Sequence, residues 1–462
     1  MASLTQTLVR PIVRPLVINY LLARDWMRSR VVYNPLSPRM HDNPYPSYAR
    51  LRERDPIHWS HLTKGWVFTR YDDIDAILRD WKRFSSADRP PRDPKSPLAN
   101  EPLAMLFQDP PDHTRLRAIV SKAFTPRSIE ALRPRIRAIV DELLDAVEDG
   151  TDIDMIEALA YPLPVIVIAE MLGVPAEDRA DFKAWSDIVA RTLEPTITAA
   201  EMREAEQASV KLRDYFLQLV EERRRNPGDD LMSVLIAAEE DGETLSEDEL
   251  LVTLRLLLVA GNETTTNLIA NGLLALLRHP DQLRRLRDDP NLMESAIEEL
   301  LRFDSPVQTD GRTATADVEF DGVTVRKGER VLLLIGAANH DREQFSNPEQ
   351  LDLSRDERSH IAFGRGIHHC LGAPLARIEA TIAFEGLLER FRDIELAAKP
   401  EFKDHVVLRG MRELHVGVRR KPNIAGSKGA ALTNRHDLSY EETRIVWRPH
   451  DLELRGVWKR HC

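Results

Sequence analysis

The fold is decided by ten consecutive residues, Phe363-Gly364-Arg365-Gly366-Ile367-His368-His369-Cys370-Leu371-Gly372. An amphipathic helix is predicted to follow at once, from Ala373 to about Arg390. The glycines allow a tight backbone turn and let a flat ligand approach closely. Cys370 then stands at a helix N-terminus, where free N–H groups and the positive end of the helix dipole favour a thiolate. A lone thiolate in such a loop suits a single bond to a metal.

The composition narrows the chemistry that this cysteine can have. The chain of 462 residues can bury a large core, and its 42% hydrophobic and 30% charged residues are typical of a soluble globular protein. Its formal charge of -11 argues against nucleic-acid binding. Cys370 and Cys462 are too few for a disulfide framework, a four-cysteine zinc site or a four-cysteine iron–sulfur cluster. So sparse a count suits a reducing cytoplasm, which is the location we expect.

Hydrophobic periodicity predicts a mainly α-helical protein with small β-sheets. Hairpin signals, with glycine at the turns, occur at 57–70 and 318–334. The longest predicted helix runs from Ser246 to about Arg278 and is opened by a capping box, Ser246-x-x-Glu249. Its middle is nearly all apolar, so we expect it to cross the domain. Other predicted helices lie at 114–123, 127–148, 163–172, 177–192, 199–225 and 230–238.

Three segments are predicted along the chain: an N-terminal extension at 1–33, a main domain at 34–420, and a linker-like basic tail at 421–462. Residues 8–26 are apolar, but arginines and prolines interrupt them, so no run approaches the ~20 residues of a membrane span. No signal-peptide core is evident either. We interpret the extension as an ordered segment lying over the main domain. The alternative is an interfacial helix that makes peripheral membrane contact.

The ten-residue stretch resembles the cysteine-loop signature of the cytochrome P-450 family, F-G-x-G-x-H-x-C-x-G, with all six fixed positions present. The resemblance covers roughly 34–420, and Leu371 to Arg377 are similar to the soluble bacterial branch. It implies the cytochrome P-450 fold, a large helical domain whose long central helix lies over a haem. Cys370 would be the axial ligand to the iron of haem b, with Phe363 and Gly372 against the ring. Thiolate ligation favours O–O cleavage.

A second motif is similar to the E-x-x-R of this family. Glu299 and Arg302 stand at i and i+3 on one predicted helix face. In the family, this pair joins a later arginine in a buried ion network, and the matching residue here is Arg355. Such a network would be costly to break.

A third motif concerns the two propionate carboxylates of haem, which need cationic or hydrogen-bonding partners when buried. His113 and Arg117 fall at i and i+4 on one helix face and resemble the H-x-x-x-R propionate clamp of the family. The resemblance adds Arg312 and His368 as two further propionate contacts.

The long helix contains Ala260-Gly261-Asn262-Glu263-Thr264-Thr265, an acid and hydroxyls inside an apolar run. A lone carboxylate there is expensive, so it should have a purpose or a partner. Thr264 could bond back to the Ala260 carbonyl and, eased by Gly261, open the helix for dioxygen and a water. The run resembles the family's A-G-x-[DE]-T-[TS]. This implies that Glu263 and Thr264 organise proton delivery while Ala260 and Gly261 contact the cofactor.

The resemblance implies a haem-thiolate monooxygenase that inserts one oxygen atom from dioxygen into a small hydrophobic substrate. The walls of its pocket map to 86–107 and 192–200, and to Leu256, Val259, Ala260, Val307 and Gln308. We find no Rossmann or flavin fingerprint, so electrons from NAD(P)H should arrive through a separate ferredoxin or flavodoxin-type protein. A basic patch near Cys370 would steer that partner; it is predicted to comprise Arg115, Lys122, Arg365 and Arg377.

Three alternatives stay open at this point. A haem peroxygenase on the same fold would use hydrogen peroxide directly, which the Glu263–Thr264 pair disfavours. A haem-binding sensor would have no task for a proton relay. A cysteine hydrolase, with Cys370 as nucleophile and His368 or His369 as base, would carry no haem and no Soret band.

Overall fold

The protein is described from a computed structural model in which residues 2–87, 94–240 and 243–422 are defined. Helices dominate, and the strands are short. The helices are α1 (Ala2–Ser29), α2 (Pro38–Asp42), α3 (Tyr45–Arg54), α4 (Tyr71–Arg79), α5 (Asp112–Ser121), α6 (Pro126–Glu130), α7 (Arg133–Asp145), α8 (Pro162–Met171), α9 (Arg179–Ala190), α10 (Ala199–Arg225), α11 (Leu231–Ala237), α12 (Glu247–Arg278), α13 (Pro280–Asp288), α14 (Met293–Phe303), α15 (Ile335–Ala338) and α16 (Ala373–Arg390). The mainly α-helical fold is confirmed.

The strands form small sheets at the margins of the helical body. They are β1 (Ile57–Ser60), β2 (Gly65–Phe68), β3 (Phe84–Ser85), β4 (Asp152–Asp154), β5 (Glu239–Glu240), β6 (Glu243–Thr244), β7 (Thr309–Ala314), β8 (Val318–Phe320), β9 (Val323–Val325), β10 (Arg330–Leu334), β11 (Phe391–Leu396), β12 (Glu401–Phe402), β13 (Met411–Glu413) and β14 (His415–Arg420). The largest sheet of the described residues has the order β1-β2-β10-β7-β3.

Both predicted hairpins are present. Strands β1 and β2 pair antiparallel, and the turn between them places Lys64 at φ 55°. Strands β8 and β9 pair in the same way around Asp321 and Gly322, both with positive φ. Strand β7, which carries Arg312, pairs with β10, so the sheet fixes where that arginine stands.

Helix α12 is 32 residues long and forms the centre of the structure. The predicted capping box is confirmed: the Ser246 hydroxyl accepts from the Glu249 N–H at 3.2 Å, and the Glu249 carboxylate accepts from the Ser246 N–H at 2.9 Å. Helices α8, α9, α10, α14 and α16 pack against α12 and bury most of its length. One large apolar core joins these helices, and a second lies against the five-stranded sheet.

The helix predicted at 127–148 is two helices, because α6 ends at Glu130 and α7 begins at Arg133. Pro134 explains the break. Proline has no N–H and clashes with the preceding turn, so it is tolerated only in the first turn of a helix, where it stands in α7. The segment predicted at 177–192 likewise begins with a 3-10 turn, Ala176–Asp178, before α9.

The predicted N-terminal extension is helical, since α1 occupies most of it and contacts β1. Among the described residues, no helix is long and apolar enough to cross a membrane. The boundaries at 33 and 421 stay predictions. Residues 423–462, including Cys462, lie outside the described part of the chain, as do 88–93 of the predicted pocket loop.

Candidate active site

Cys370 lies on the cysteine loop, residues 363–372, between a 3-10 turn at Gly366–His368 and the start of α16. The Cys370 N–H donates to the Phe363 carbonyl at 2.9 Å, which closes the loop. Gly366 has φ 67°, and a Cβ there would collide with the Leu78 carbonyl, so this position requires glycine. The loop leaves Cys370 accessible instead of packing it into the core.

The protonation of Cys370 is set by opposing effects. Although the residue keeps accessible surface, protein atoms surround it, and this burial raises the pKa of the thiol. The N–H of Gly372, the charge of Arg117 and the N–H of Ala373 lower the pKa but do not offset burial. The expectation that the helix end alone favours a thiolate is therefore corrected. A thiolate here needs a further cation, such as a bound metal.

Two guanidinium and two imidazole groups meet beside the cysteine loop. The rings of His113 and His368 lie 4.3 Å apart between centroids. Arg117 donates to a backbone carbonyl of the cysteine loop at 2.6 Å, and Arg312 donates to Asp310 at 2.7 Å. Burial, followed by the charge of Arg312, lowers the pKa of His368 to about 4, so this imidazole is neutral at pH 7.

These four side chains fit a ligand with two carboxylates. Both ring nitrogens of His113 and the Nε2 atom of His368 lack a hydrogen-bond partner among the described residues. Buried polar atoms are normally paired, so such atoms indicate a missing partner. Imidazole and guanidinium groups bind carboxylates well, and haem carries two. Gly372 adds open space where a flat ring could lie, since nothing stands within 4 Å of a Cβ placed there.

The predicted ion network lies in the core and is complete. Glu299 accepts from Arg302 at 2.7 and 2.9 Å and from Arg355 at 3.0 Å. The remaining donors of Arg302 reach the carbonyls of Asn339 and Pro348, at 2.8 and 3.0 Å. All three network residues are buried. The network therefore ties α14 to the chain that leads into the cysteine loop.

The middle of α12 holds the predicted hydroxyl. The Thr264 hydroxyl donates to the Ala260 carbonyl at 2.8 Å, as the sequence suggested. The expected opening of the helix is not seen, because α12 stays α-helical from Glu247 to Arg278. Ala260 is exposed and Thr264 is half-buried, although the residues around them are in the core. This part of α12 thus borders open space without a break in its backbone.

Glu263 has a partner, which is one of the two outcomes expected from the sequence for a buried carboxylate at this position. Its carboxylate accepts from Lys403 Nζ at 3.0 Å, and His405 Nδ1 lies 3.6 Å away. Burial would raise the pKa of Glu263, but the His405 imidazole and the Lys403 ammonium outweigh it and lower the pKa to about 2. The carboxylate is therefore ionised at pH 7 and held by a cation.

Known proteins are similar to this chain in sequence and in fold. The family described as Cytochrome P450 matches residues 31–410. The chain belongs to the cytochrome P450 family. It is 45% identical over 391 residues to cytochrome P450 CYP107DY1 of Priestia megaterium, which covers 80% of this chain and 94% of the relative.

Two further cytochromes P450 show the same similarity. The polyketide biosynthesis cytochrome P450 PksS of Bacillus subtilis is 41% identical over 413 residues, covering 84% of this chain and 99% of the relative. The structure of P450BioI in complex with hexadec-9Z-enoic acid ligated acyl carrier protein matches with a TM-score of 0.79 and 40% identity. It covers 83% of this chain and 99% of that chain. The predicted cytochrome P450 fold is confirmed, and the chain is a monooxygenase of a family that uses haem and dioxygen.

Three residues of this cytochrome P450 site were missed by sequence reasoning. Lys403 and His405 follow β12, 140 residues or more after Glu263, and no local pattern links them to it. Glu379, on α16, is fully buried, and burial raises the pKa of its carboxyl to about 8, with Thr265 opposing in part. Glu379 lies between buried Ile378 and Ala380, and this acid inside an apolar stretch of α16 was a usable signal.

The predicted pocket residues differ in burial and in their contacts. Leu256 and Val259 of α12 are half-buried, near exposed Ala260, as expected for a pocket wall. Val307 pairs with Leu408 in an isolated β-bridge. The Gln308 side chain is buried, and its amide donates to the Ser305 carbonyl at 2.8 Å and to the Tyr45 hydroxyl at 3.3 Å. These bonds hold the loop, and the pocket role of Gln308 stays a prediction.

The predicted basic patch is largely paired with carboxylates. Arg377 donates to Glu298 at 2.6 and 2.9 Å, and Arg365 lies 3.3 Å from Asp75. The third arginine of the patch, Arg115, forms an ion pair with Glu249. The patch therefore presents less net positive charge than its sequence suggested.

Proposed function

We propose that this cytochrome P450 inserts one oxygen atom of dioxygen into a hydrophobic organic substrate, with Cys370 as the axial ligand of haem b. The observation that carries the proposal is the accessible cysteine beside His113 and His368, whose ring nitrogens lack partners. A metal ligand next to a carboxylate-binding group matches the iron and the propionates of one haem.

In this proposal Cys370 bonds the iron, and His113, Arg117, Arg312 and His368 bind the propionates. Phe363, Gly372, Ala260 and Gly261 would contact the ring. Bound haem supplies the iron at which dioxygen is reduced and cleaved. The Glu299–Arg302–Arg355 network keeps the cysteine loop in position from behind.

The residues of α12 supply protons. The Thr264 hydroxyl donates to the Ala260 carbonyl, so its oxygen remains able to accept from a water in the adjoining space. Glu263, the preceding residue, is ionised and can accept a proton from the solvent side. Its ion pair with Lys403 must loosen for that transfer, so Lys403 sets how readily Glu263 takes part.

The substrate is proposed to be a long or bulky apolar molecule. Leu256, Val259, Ala260 and Val307 supply an apolar wall, and burying apolar surface would drive binding. Two relatives agree with this class: PksS is named for polyketide biosynthesis, and P450BioI was solved with an acyl carrier protein that carries hexadec-9Z-enoic acid.

Electrons are proposed to come from NAD(P)H through a separate ferredoxin or flavodoxin-type protein, in the cytoplasm. The face around Arg115, Lys122, Arg365 and Arg377 is the proposed docking site, because it lies close to Cys370. Its arginines are paired with carboxylates, so nearness to the proposed iron ligand supports docking at this face more than excess charge does. Reduction by a competent donor should slow as salt rises, whereas charge reversal at Arg377 should slow reduction at low salt and weaken its dependence on salt.

The haem ligand is tested by the spectrum of the reduced holoenzyme with carbon monoxide. We expect the red-shifted band of thiolate-ligated haem, its loss in Cys370→Ala, and no change in Cys462→Ala. Protein purified without a Soret band would instead fit the cysteine hydrolase. A Cys370→Ala protein that keeps the red-shifted band would refute Cys370 as ligand.

The source of oxygen is tested with hexadec-9Z-enoic acid as a probe substrate and isotopically labelled dioxygen. Binding should shift the spin state of the iron, and the product should carry label when ferredoxin, its reductase and NADPH are present. Product formed with hydrogen peroxide alone, and never with the reductase system, would make the enzyme a peroxygenase. Spectral binding without product under either condition, across apolar probes, would favour the sensor.

A further inference from the structure

Helix α1 exposes an apolar stripe. Leu16 is 64% exposed, Tyr20 63% and Met27 65%, and all three lie on one side of the helix. At ~1.5 Å per residue the stripe is about 16 Å long. Exposed apolar residues are ordinary when they are scattered, but a contiguous row on one helix face indicates a binding surface.

A buried polar contact fixes which side of α1 faces outward. Asp25 is fully buried on the side of α1 opposite the apolar stripe, and its carboxylate accepts from the ring and the backbone N–H of His61. His58, also fully buried, lies 3.8 Å from the other carboxylate oxygen. A buried carboxylate strongly prefers to keep such partners. The helix therefore cannot rotate to cover its stripe against the domain without breaking this contact.

The charge of this segment is opposite to that of the whole chain. Residues 1–30 hold five arginines and one acidic residue, Asp25, whereas the whole chain carries a formal charge of -11. Arg24 lies beside the stripe on the helix, Arg28 lies over the Trp66 ring at 5.3 Å, and Arg30 stacks on exposed Trp26 at 4.3 Å. Arginines beside an apolar row with tyrosine and tryptophan are typical of a helix that lies in an anionic lipid interface.

We propose that α1 binds the surface of an anionic membrane, lying flat with Leu16, Tyr20 and Met27 in the lipid. A second protein is a weaker occupant, because one convex helix offers on the order of a few hundred Å², below the ~800 Å² per partner of a stable interface. Lipid needs no complementary groove, and its negative surface matches the arginines. Within residues 2–87, 94–240 and 243–422, no helix is long and apolar enough to span a membrane.

The experiment is sedimentation of the full-length holoenzyme with vesicles. We expect binding to phosphatidylcholine vesicles that contain about one-third phosphatidylglycerol, and little binding to pure phosphatidylcholine. Leu16→Ser/Tyr20→Ser/Met27→Ser should abolish binding, and Arg24→Gln/Arg30→Gln should weaken it roughly thirtyfold, since each cation near the surface contributes about a factor of five. The matched control, Met202→Ser/Leu396→Ser, removes exposed apolar groups elsewhere and should bind normally.

Circular dichroism and the carbon monoxide spectrum should be the same for all these variants, because none touches the candidate active site. Three results would overturn the proposal. One is no binding to anionic vesicles, and another is equal loss of binding in the Met202/Leu396 control. The third is self-association, measured by light scattering, that the triple serine variant removes; this would assign the stripe to a second copy of the chain.

Discussion

Two buried polar regions of this cytochrome P450 differ in how completely their atoms are hydrogen-bonded. Behind the cysteine loop, no side-chain atom of Glu299, Arg302 or Arg355 lacks a partner. In the middle of α12, the buried side chains of Asn262 and Asn267 leave oxygen or nitrogen atoms without a partner among the described residues. A complete network supports one geometry, whereas an incomplete one leaves donors and acceptors for water or a ligand.

The two regions have different proposed roles: the network behind the cysteine loop supports the structure, and the middle of α12 takes part in the reaction. The network behind the cysteine loop can be understood from the protein alone, since every charge has its counter-charge. The α12 region cannot, because Asn262 and Asn267 keep atoms without a partner among the described residues, and Ala260 beside Thr264 is exposed. We therefore expect damage to the first region to show mainly as lost stability, and damage to the second to show mainly as altered reaction.

The largest effect is predicted for Glu299→Ala. The change leaves two buried guanidiniums without their carboxylate, which should cost about 3–5 kcal/mol of unfolding free energy. Denaturant unfolding of the holoenzyme measures it. The matched control is Glu294→Ala on the same helix, whose partner Arg358 is exposed, and which should lose less than about 1 kcal/mol. Similar small losses in both variants would remove the distinction between the two regions.

The second prediction concerns Glu379, a buried carboxyl of α16 beside Thr265 of α12. The unfolded chain releases this proton near pH 4.5, but the folded chain keeps it to about pH 8. Between those values the folded state binds more protons, so stability falls as pH rises. Glu379→Gln removes this effect and should stabilise the protein by up to about 4 kcal/mol near pH 8 and very little near pH 4.5.

Thermal unfolding at both pH values measures the Glu379 effect. Glu385→Gln on the same helix is the control, because Glu385 is partly exposed and ion-paired with Arg137. It should show no such gain on raising the pH. A Glu379→Gln protein whose stability tracks wild type at every pH would mean that the carboxyl is not protonated in the fold.

A tenfold effect on reaction is predicted for Thr264→Ala. The spectrum and stability of the variant should stay near normal. The ratio of hydrogen peroxide to product should rise about tenfold, which corresponds to roughly 1.4 kcal/mol. Peroxide and product are measured per NADPH consumed. Thr266→Ala is the control: Thr266 makes the same backward bond, to the Asn262 carbonyl at 3.1 Å, but is buried. Equal uncoupling in both would show a general effect of the helix.

The smallest change is predicted for Lys403→Met. Lys403 helps to lower the pKa of Glu263 to about 2 from its ordinary 4.5, so the stability from this pair is present above about pH 4.5 and lost as pH falls toward 2. Removing the cation should cost about 1 kcal/mol at pH 7 and nothing near pH 2. Lys403→Arg should retain most of the stability. The pH profile of coupling should also move upward in Lys403→Met but not in Lys403→Arg.

The parts of the fold that were predicted well depend on residues close together in sequence. The capping box of α12 and the turns at Lys64 and Asp321 involve neighbours within a few residues, so the sequence contains the whole interaction. The cysteine loop is of the same kind. The break between α6 and α7 was also local, and Pro134 was a signal that helical periodicity alone overlooks.

The parts that were not predicted depend on distant residues. Lys403 reaches Glu263 only because the hairpin of β12 and β13 folds against the helical body, and nothing near Glu263 reveals it. The same applies to Gln308, whose amide is held by Tyr45 from the other end of the chain. Site residues could be named from motifs, but their protonation states could not, because burial and distant charges set them.

The capping carboxylate of α12 has a consequence for engineering this enzyme. Glu249 closes the first turn of α12 and also binds Arg115 on α5, the helix that carries His113 and Arg117. One side chain thus connects α12 to the helix that carries the proposed propionate ligands. Moving α12 to admit a bulkier substrate would strain the Glu249–Arg115 ion pair and shift His113 and Arg117 on α5. Replacing Leu256 or Val259 with a smaller residue should enlarge the proposed substrate pocket while α5 and α12 keep their spacing.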